Sequence, residues 1–220
     1  MAYPGIFRIL LLNRYSHSSS IIKHLEDYYE GSPVIAIAFF YFRFDDTETQ
    51  SVDKMLCSLI KQICAQRPNT PESVKSLQKY KLKDHRPDRK TLEDALIATI
   101  QNFNNVYIVL DALDECPSSN GKRGELLKVL RQIHDQQSPN LHLICTSRRE
   151  TDIERVLEYI LSPTSEFNID LTARKENVDR DIALHIDETF RSDETFCSWE
   201  AEWRDEARNA LIEKADGMYA

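Results

Sequence analysis

"NVYIVLDALDECPSSNG" (Asn105–Gly121) carries an apolar run, Val106 to Leu110, directly into three carboxylates at Asp111, Asp114 and Glu115. An apolar run without polar alternation suits a strand buried on both faces, as in the middle of a parallel sheet. The acids then stand at the carboxyl end of that strand, where open parallel sheets bind their ligands. Crowded carboxylates repel one another or raise each other's pKa values unless a cation or a ligand proton offsets their charge. A magnesium ion carrying nucleotide phosphates is a common cation of this kind.

The stretch on the amino-terminal side repeats the pattern. In "SPVIAIAFFYFRFDD" the residues from Val34 to Phe42 are apolar throughout, which predicts a second fully buried strand. "SVDKMLCSLIKQICAQ" follows as a helix, with Val52, Met55, Leu56, Leu59, Ile60 and Ile63 on one face and Ser51 as its cap. Arg67 to Lys90 is polar and punctuated by Pro68, Pro71 and Pro87, so it reads as a surface excursion with a short helix around Glu72 to Tyr80. Thr91 is expected to cap a helix through Asn102 that turns Leu92, Ala95, Leu96 and Ile100 inward.

On the carboxyl-terminal side, "PSSNGKRG" is a turn and "ELLKVLRQIHDQ" an amphipathic helix ending before Pro139. "LHLICT", Leu141 to Thr146, predicts a buried strand that delivers Ser147, Arg148 and Arg149 to its carboxyl end. "TDIERVLEYIL" reads as a helix and "EFNIDL" as a short strand with Phe167, Ile169 and Leu171 alternating. Strands alternating with helices imply right-handed crossovers and a parallel α/β sheet covered on both faces. From Lys175 the alternation stops, and helices about Glu176 to Phe190 and Trp199 to Ala215 follow, with Gly217 as a cap after the second. Trp199 and Trp203, four apart, suit a helix packing face.

Composition bounds the function. With 220 residues and 41% hydrophobic content the chain can bury a full core. A formal charge of −8, from 36 acidic and 28 basic residues, argues against broad binding to nucleic acid or an anionic membrane surface. The five cysteines form no CxxC pair, and Cys57, Cys64 and Cys145 fall within apolar patterns, so a reducing, cytoplasmic setting and no zinc site are expected. No apolar run reaches the eighteen or more residues of a membrane span, and "IFRILLL" near the start lacks a small-residue cleavage site after it.

"VYIVLDALDEC" resembles the Walker B motif of the NACHT group of signal-transducing P-loop ATPases, and "LHLICTSRRE" resembles their sensor 1 strand. The chain is most similar to the fungal and nephrocystin-like set, from about Ser18 to the last residue, through "AFFYFRFDDTETQSVDKMLCSLIKQI" and "LIEKADGMYA". The resemblance implies a P-loop-NTPase-like sheet over residues 1–172 and the start of a helical subdomain over 173–220. It also implies ATP or GTP with Mg2+ as cofactor. Asp111 would hold the ion through its water shell, Asp114 or Glu115 would orient the attacking water, and Arg148, beside Ser147, would sense the terminal phosphate. The same acids also suit the N-cap region of the following helix, and Arg148 suits a surface ion pair equally well. Protein partners and self-association through flanking domains are implied too, as is a role in signal transduction.

The family pattern departs at the amino terminus, because the chain holds no GxxxxGK[ST] loop to wrap phosphates in backbone N–H groups. With "SSSIIKHLEDYY" on the helix that follows the loop, the Gly-Lys-Thr positions fall on Asn13, Arg14 and Tyr15. "IFRILLL" serves as the first strand in that alignment. The departure leaves open whether the chain is an NTPase. The readings are a nucleotide switch core weakened by the missing loop, or a nucleotide-independent interaction scaffold or a piece of a larger protein.

Overall fold

The structure is a computed structural model that describes residues 17–67, 70–77, 80, 86–160 and 175–215. Its centre is a parallel sheet in the order β1 (Ile35–Tyr41), β2 (Asn105–Asp111) and β3 (Leu141–Cys145). The register pairs Tyr41 with Asp111 and Leu110 with Cys145, so the carboxyl ends of all three strands lie side by side. This is the α/β class that the alternating pattern predicts, with helices flanking a parallel sheet and helices again from Lys175 onward.

Neighbouring parallel strands joined by right-handed crossovers place their connecting helices on one face. That face carries α2 (Val52–Ala65), α3 (Glu72–Lys75), α4 (Arg89–Ile100), α5 (Lys122–Asp135) and, after β3, α6 (Thr151–Ile160). The main core lies there. Ala36, Ala38, Val106, Ile108, Leu110, Leu143 and Cys145 of the sheet meet Met55, Leu56, Leu59, Leu96, Leu126, Leu130 and Leu157 of the helices. The two alanines of β1 let α2 approach the sheet closely. Arg89 ties three helices together, its Nε 2.7 Å from Asp53 of α2 and its Nη1 3.0 Å from Glu125 of α5.

The opposite face is covered by α1 (His17–Tyr28), whose Ile22 packs on Val109 and Ile144 with Ile21, Leu25, Phe39 and Tyr41 around them. The strand read as buried on both faces is so at β2, where Val106 and Ile108 to Leu110 are all buried. At β1 only Ala36 and Ala38 are buried, and Val34 lies outside the strand and exposed. The reason is position: β1 is the edge strand of the described sheet, and α1 centres its contact on Val109 and Ile144.

Helix starts refine the expectations. Ser51 caps α2, its side chain accepting from Lys54 N–H. The helix expected to begin at Thr91 begins two residues earlier, at Arg89, because Asp88 is the cap and its carboxylate accepts the Thr91 N–H at 2.8 Å. Helix α5 likewise starts at Lys122, since Gly121 with φ 70° closes the preceding turn there. After α6 come α7 (Lys175–Ser192), α8 (Glu194–Cys197) and α9 (Ala201–Ala215), tied by Arg208 to Asp187 at 2.7 Å. Trp199 meets Phe196 edge to face and lies tilted against Phe190, but Trp203 is 61% exposed, so the two do not share a packing face. Cys145 is buried as expected, Cys64 is half-buried, and Cys57 is exposed on the outer side of α2. Residues 1–16, "EFNIDL" and Gly217 lie outside the described residues.

Candidate functional site

Asp111 ends β2 with its side chain buried among hydroxyls. Its Oδ1 accepts from Thr146 Oγ1 at 2.6 Å and from Ser18 Oγ, which the first turn of α1 brings over the strand end. Thr146 also fixes the backbone, because its Oγ1 accepts the Ala112 N–H at 2.9 Å while its own N–H donates to Leu110 O at 2.9 Å. No lysine or arginine among the described residues forms an ion pair with Asp111. A carboxylate so far from water is costly unless it is hydrogen-bonded and its charge is offset.

The chain then turns sharply. Ala112 has φ 56° and ψ 55°, the left-handed region that L residues other than glycine enter at a cost of about 1–2 kcal/mol. A 3-10 turn, Leu113–Glu115, follows, anchored by fully buried Leu113 and closed by Glu115 N–H to Ala112 O at 2.9 Å. The turn sends Asp114 across to the end of β3. There its Oδ1 accepts the Arg148 N–H at 3.0 Å, and its Oδ2 lies 3.6 Å from Arg148 Nε.

The five residues singled out from sequence thus occupy the adjoining ends of two strands. Asp114 and Arg148 are in direct contact, and the Asp114 side chain is 7% exposed against 45% for Arg148. Ser147 is buried and donates to Arg148 O at 2.7 Å, with Asp114 Oδ1 a further 3.5 Å contact. Glu115 is also buried. Arg149 lies outward at the surface near Glu154.

A profile of the nephrocystin 3 N-terminal family matches residues 16–148, from the start of α1 to the end of this site. The chain belongs to that family. The matched stretch includes every residue named above except Arg149 and Glu154, and it stops well before the last residue, to which the resemblance read from sequence extends. No curated protein matches the sequence. Among solved structures, the Walker-type ATPase PABY2304 of Pyrococcus abyssi is similar over 95% of this chain and 58% of its own, at 16% identity and a TM-score of 0.46. The structure of Drosophila ORC bound to DNA is similar over 98% of this chain and 52% of that one, at 12% identity and a TM-score of 0.41. The chain therefore spans between half and three fifths of those solved chains.

In this member of the family, four residues complete the site that pattern reading did not single out. Ser18 and Thr146 supply hydroxyls to Asp111, and Ala112 supplies the turn. Arg123 of α5 is the brace. Its Nε donates to Cys116 O at 2.8 Å and its Nη2 to Asp114 O at 2.7 Å, while Nη1 stands 3.5 Å from both Glu150 and Asp152. One buried guanidinium so ties the acidic turn to the segment after β3. Cys116 beside it is buried, and that burial pushes its thiol up to about 11.

The donor set is all oxygen, one carboxylate and two hydroxyls, with the Asp114 and Arg148 pair adjacent. Hard oxygen donors suit Mg2+, which keeps several waters and takes its remaining ligands from substrate phosphates. Among the described residues no cluster of three or more His, Cys, Asp or Glu side chains forms an all-protein metal cage. No described helix is long and apolar enough to cross a membrane.

Proposed function

We propose that the chain is the nucleotide-binding core of a NACHT-type signalling switch that takes ATP or GTP with Mg2+ in the cytoplasm. The observation that carries this is the buried Asp111 carboxylate, held by two hydroxyls with no cation paired to it among the described residues, beside a half-exposed Arg148. A divalent ion at this strand end offsets the carboxylate and the phosphate charge together.

Each residue then has a task. Asp111 holds the ion through water, and Ser18 and Thr146 fix the carboxylate's orientation. Asp114 or Glu115 accepts the proton of the attacking water, and Arg148 turns from Asp114 toward the terminal phosphate, its fork suited to two phosphate oxygens. The existing Asp114 contact holds Arg148 near that position in the meantime. Without GxxxxGK[ST] in the sequence, binding is weak and turnover slow. Protein partners and self-association are the output of such a switch.

A second reading is a nucleotide-independent interaction scaffold. It is favoured by the fact that Asp111 Oδ1 is already satisfied by two hydroxyls, which stabilises the site with nothing bound. Calorimetric titration of ATP with Mg2+, run on the chain and on Asp111→Ala and Arg148→Ala, separates the two. The switch reading expects saturable binding weakened about tenfold or more by each substitution. A folded sample that binds neither ATP nor GTP leaves the scaffold.

A further inference from the structure

Among the described strands β1 has a neighbour on one side alone, and two glutamines of α2 occupy the other. Gln62 Nε2 donates to Phe39 O at 2.8 Å, and Gln62 Oε1 accepts the Phe39 N–H at 3.0 Å. Gln66 repeats the pair on Ile37, with Nε2 to O at 2.7 Å and N–H to Oε1 at 3.0 Å. Each side-chain amide makes the same two bonds that a residue of a neighbouring strand makes.

The match follows from geometry. Four residues of helix advance about 6.0 Å and two residues of strand about 6.6 Å, so glutamines at i and i+4 meet alternate outward-facing peptide groups. The amides are also locked. The second Nε2 proton of Gln62 goes to Ser58 Oγ and that of Gln66 to Gln62 O, both at 3.0 Å. These partners fix which end of each amide faces which backbone group.

The strand so covered is a hazard if left open. "IAIAFFY" is uncharged, rich in β-branched and aromatic residues, and free of proline and glycine, the composition that pairs edge to edge. Beside it runs an open groove of about 780 Å3, lined by Tyr29, Pro33, Ile35, Ile37 and Phe39 with the two glutamines. This groove touches none of Asp111, Asp114, Glu115 or Arg148. Glu26, Glu30 and Pro33 line the groove, but no charged residue or proline lies within the strand itself.

We infer that Gln62 and Gln66 form a built-in strand mimic that closes the β1 edge against strand addition by β1 of a second copy of this chain. An incoming strand must break both amide pairs before it makes its own. The device depends on the amide groups and not on the bulk of the side chains.

The test uses Gln62→Ala, Gln66→Ala and the double variant, each expected to keep α2, since alanine is the stronger helix former. In the singles, amide exchange is expected to rise about tenfold at Phe39 for Gln62→Ala and at Ile37 for Gln66→Ala, each leaving the other unchanged. The double variant is expected to self-associate in sedimentation velocity at concentrations where the parent does not. Gln62→Glu with Gln66→Glu is expected to stay dispersed, because a charged edge also repels a second strand. Unchanged exchange at both amides in the singles would overturn the inference, as would a double alanine variant that sediments like the parent. If the double variant does not fold, the two single variants decide the matter on their own.

Discussion

Replacing Thr146 by valine removes one oxygen and keeps the shape of the side chain, so its cost measures what that hydroxyl holds together. Two bonds are lost. The buried Ala112 N–H loses its acceptor at 2.9 Å, and an unsatisfied buried donor costs about 1–3 kcal/mol. The Asp111 carboxylate loses a donor at 2.6 Å, and a hydrogen bond to a charged group contributes about 1.5–3 kcal/mol. Because both groups sit in one network and the Ser18 hydroxyl remains, the terms do not add fully, and about 3 kcal/mol is expected. In a chain of 220 residues that corresponds to a fall in Tm of about 6–12 °C. Urea unfolding followed by circular dichroism reads it as a lower midpoint at unchanged slope. Thr146→Ser, which keeps the oxygen, is expected to cost about 1 kcal/mol for its lost methyl. A valine variant within about 0.5 kcal/mol of the parent, or a serine variant as costly as valine, would refute the reasoning.

Ala112→Gly relieves a left-handed backbone while loosening the unfolded chain, so it is expected to shift stability by less than about 1 kcal/mol. Ala98→Gly, inside α4, is expected to cost about 1 kcal/mol, and equal losses at the two sites in urea unfolding would contradict the strain at Ala112. The Thr91 N–H holds the Asp88 carboxyl below its ordinary value. The cap's stability is therefore full above about pH 4 and lost as pH falls through the folded-state pKa. An NMR titration of Asp88 checks the direction, and Asp88→Asn is expected to keep the cap without the acid dependence. Burial pushes the Cys145 thiol up to about 12, and Cys116 is raised to about 11, whereas Cys57 is exposed. Thiol labelling of the native chain at pH 8 is expected to reach Cys57 well before either buried cysteine, and simultaneous labelling would contradict the packing.

The fold and the acids were readable for one reason: both are written in side-chain type and spacing. Val106 to Leu110 is apolar without interruption because β2 is the middle strand, and the break to Asp111 marks where it leaves the core. The same reading overstates β1, since an apolar run does not tell a central strand from an edge strand whose cover is partial. What stayed hidden is what side chains do to main chain. Thr146 looks like the last residue of a strand, Ala112 like a spacer and Arg123 like part of the polar turn "PSSNGKRG". Their roles lie in bonds to Ala112 N–H, to Glu115 N–H across the turn, and to the carbonyls of Asp114 and Cys116. Asp88 hid behind Thr91 in the same way, because both residues suit a cap and only the backbone angle at Asp88 decides between them.

The central claim is that the ends of β2 and β3 form a metal-nucleotide site built on Asp111. Mn2+ in place of Mg2+, added with ATP to the isotope-labelled chain, tests it most directly, since a paramagnetic ion broadens the resonances nearest to it. The account predicts broadening centred on the amides of Ser18, Ala112, Asp114 and Arg148, dependent on ATP and abolished by Asp111→Ala. Broadening that ignores ATP and the substitution, or that centres on surface carboxylates such as Asp45 and Glu48, would contradict it.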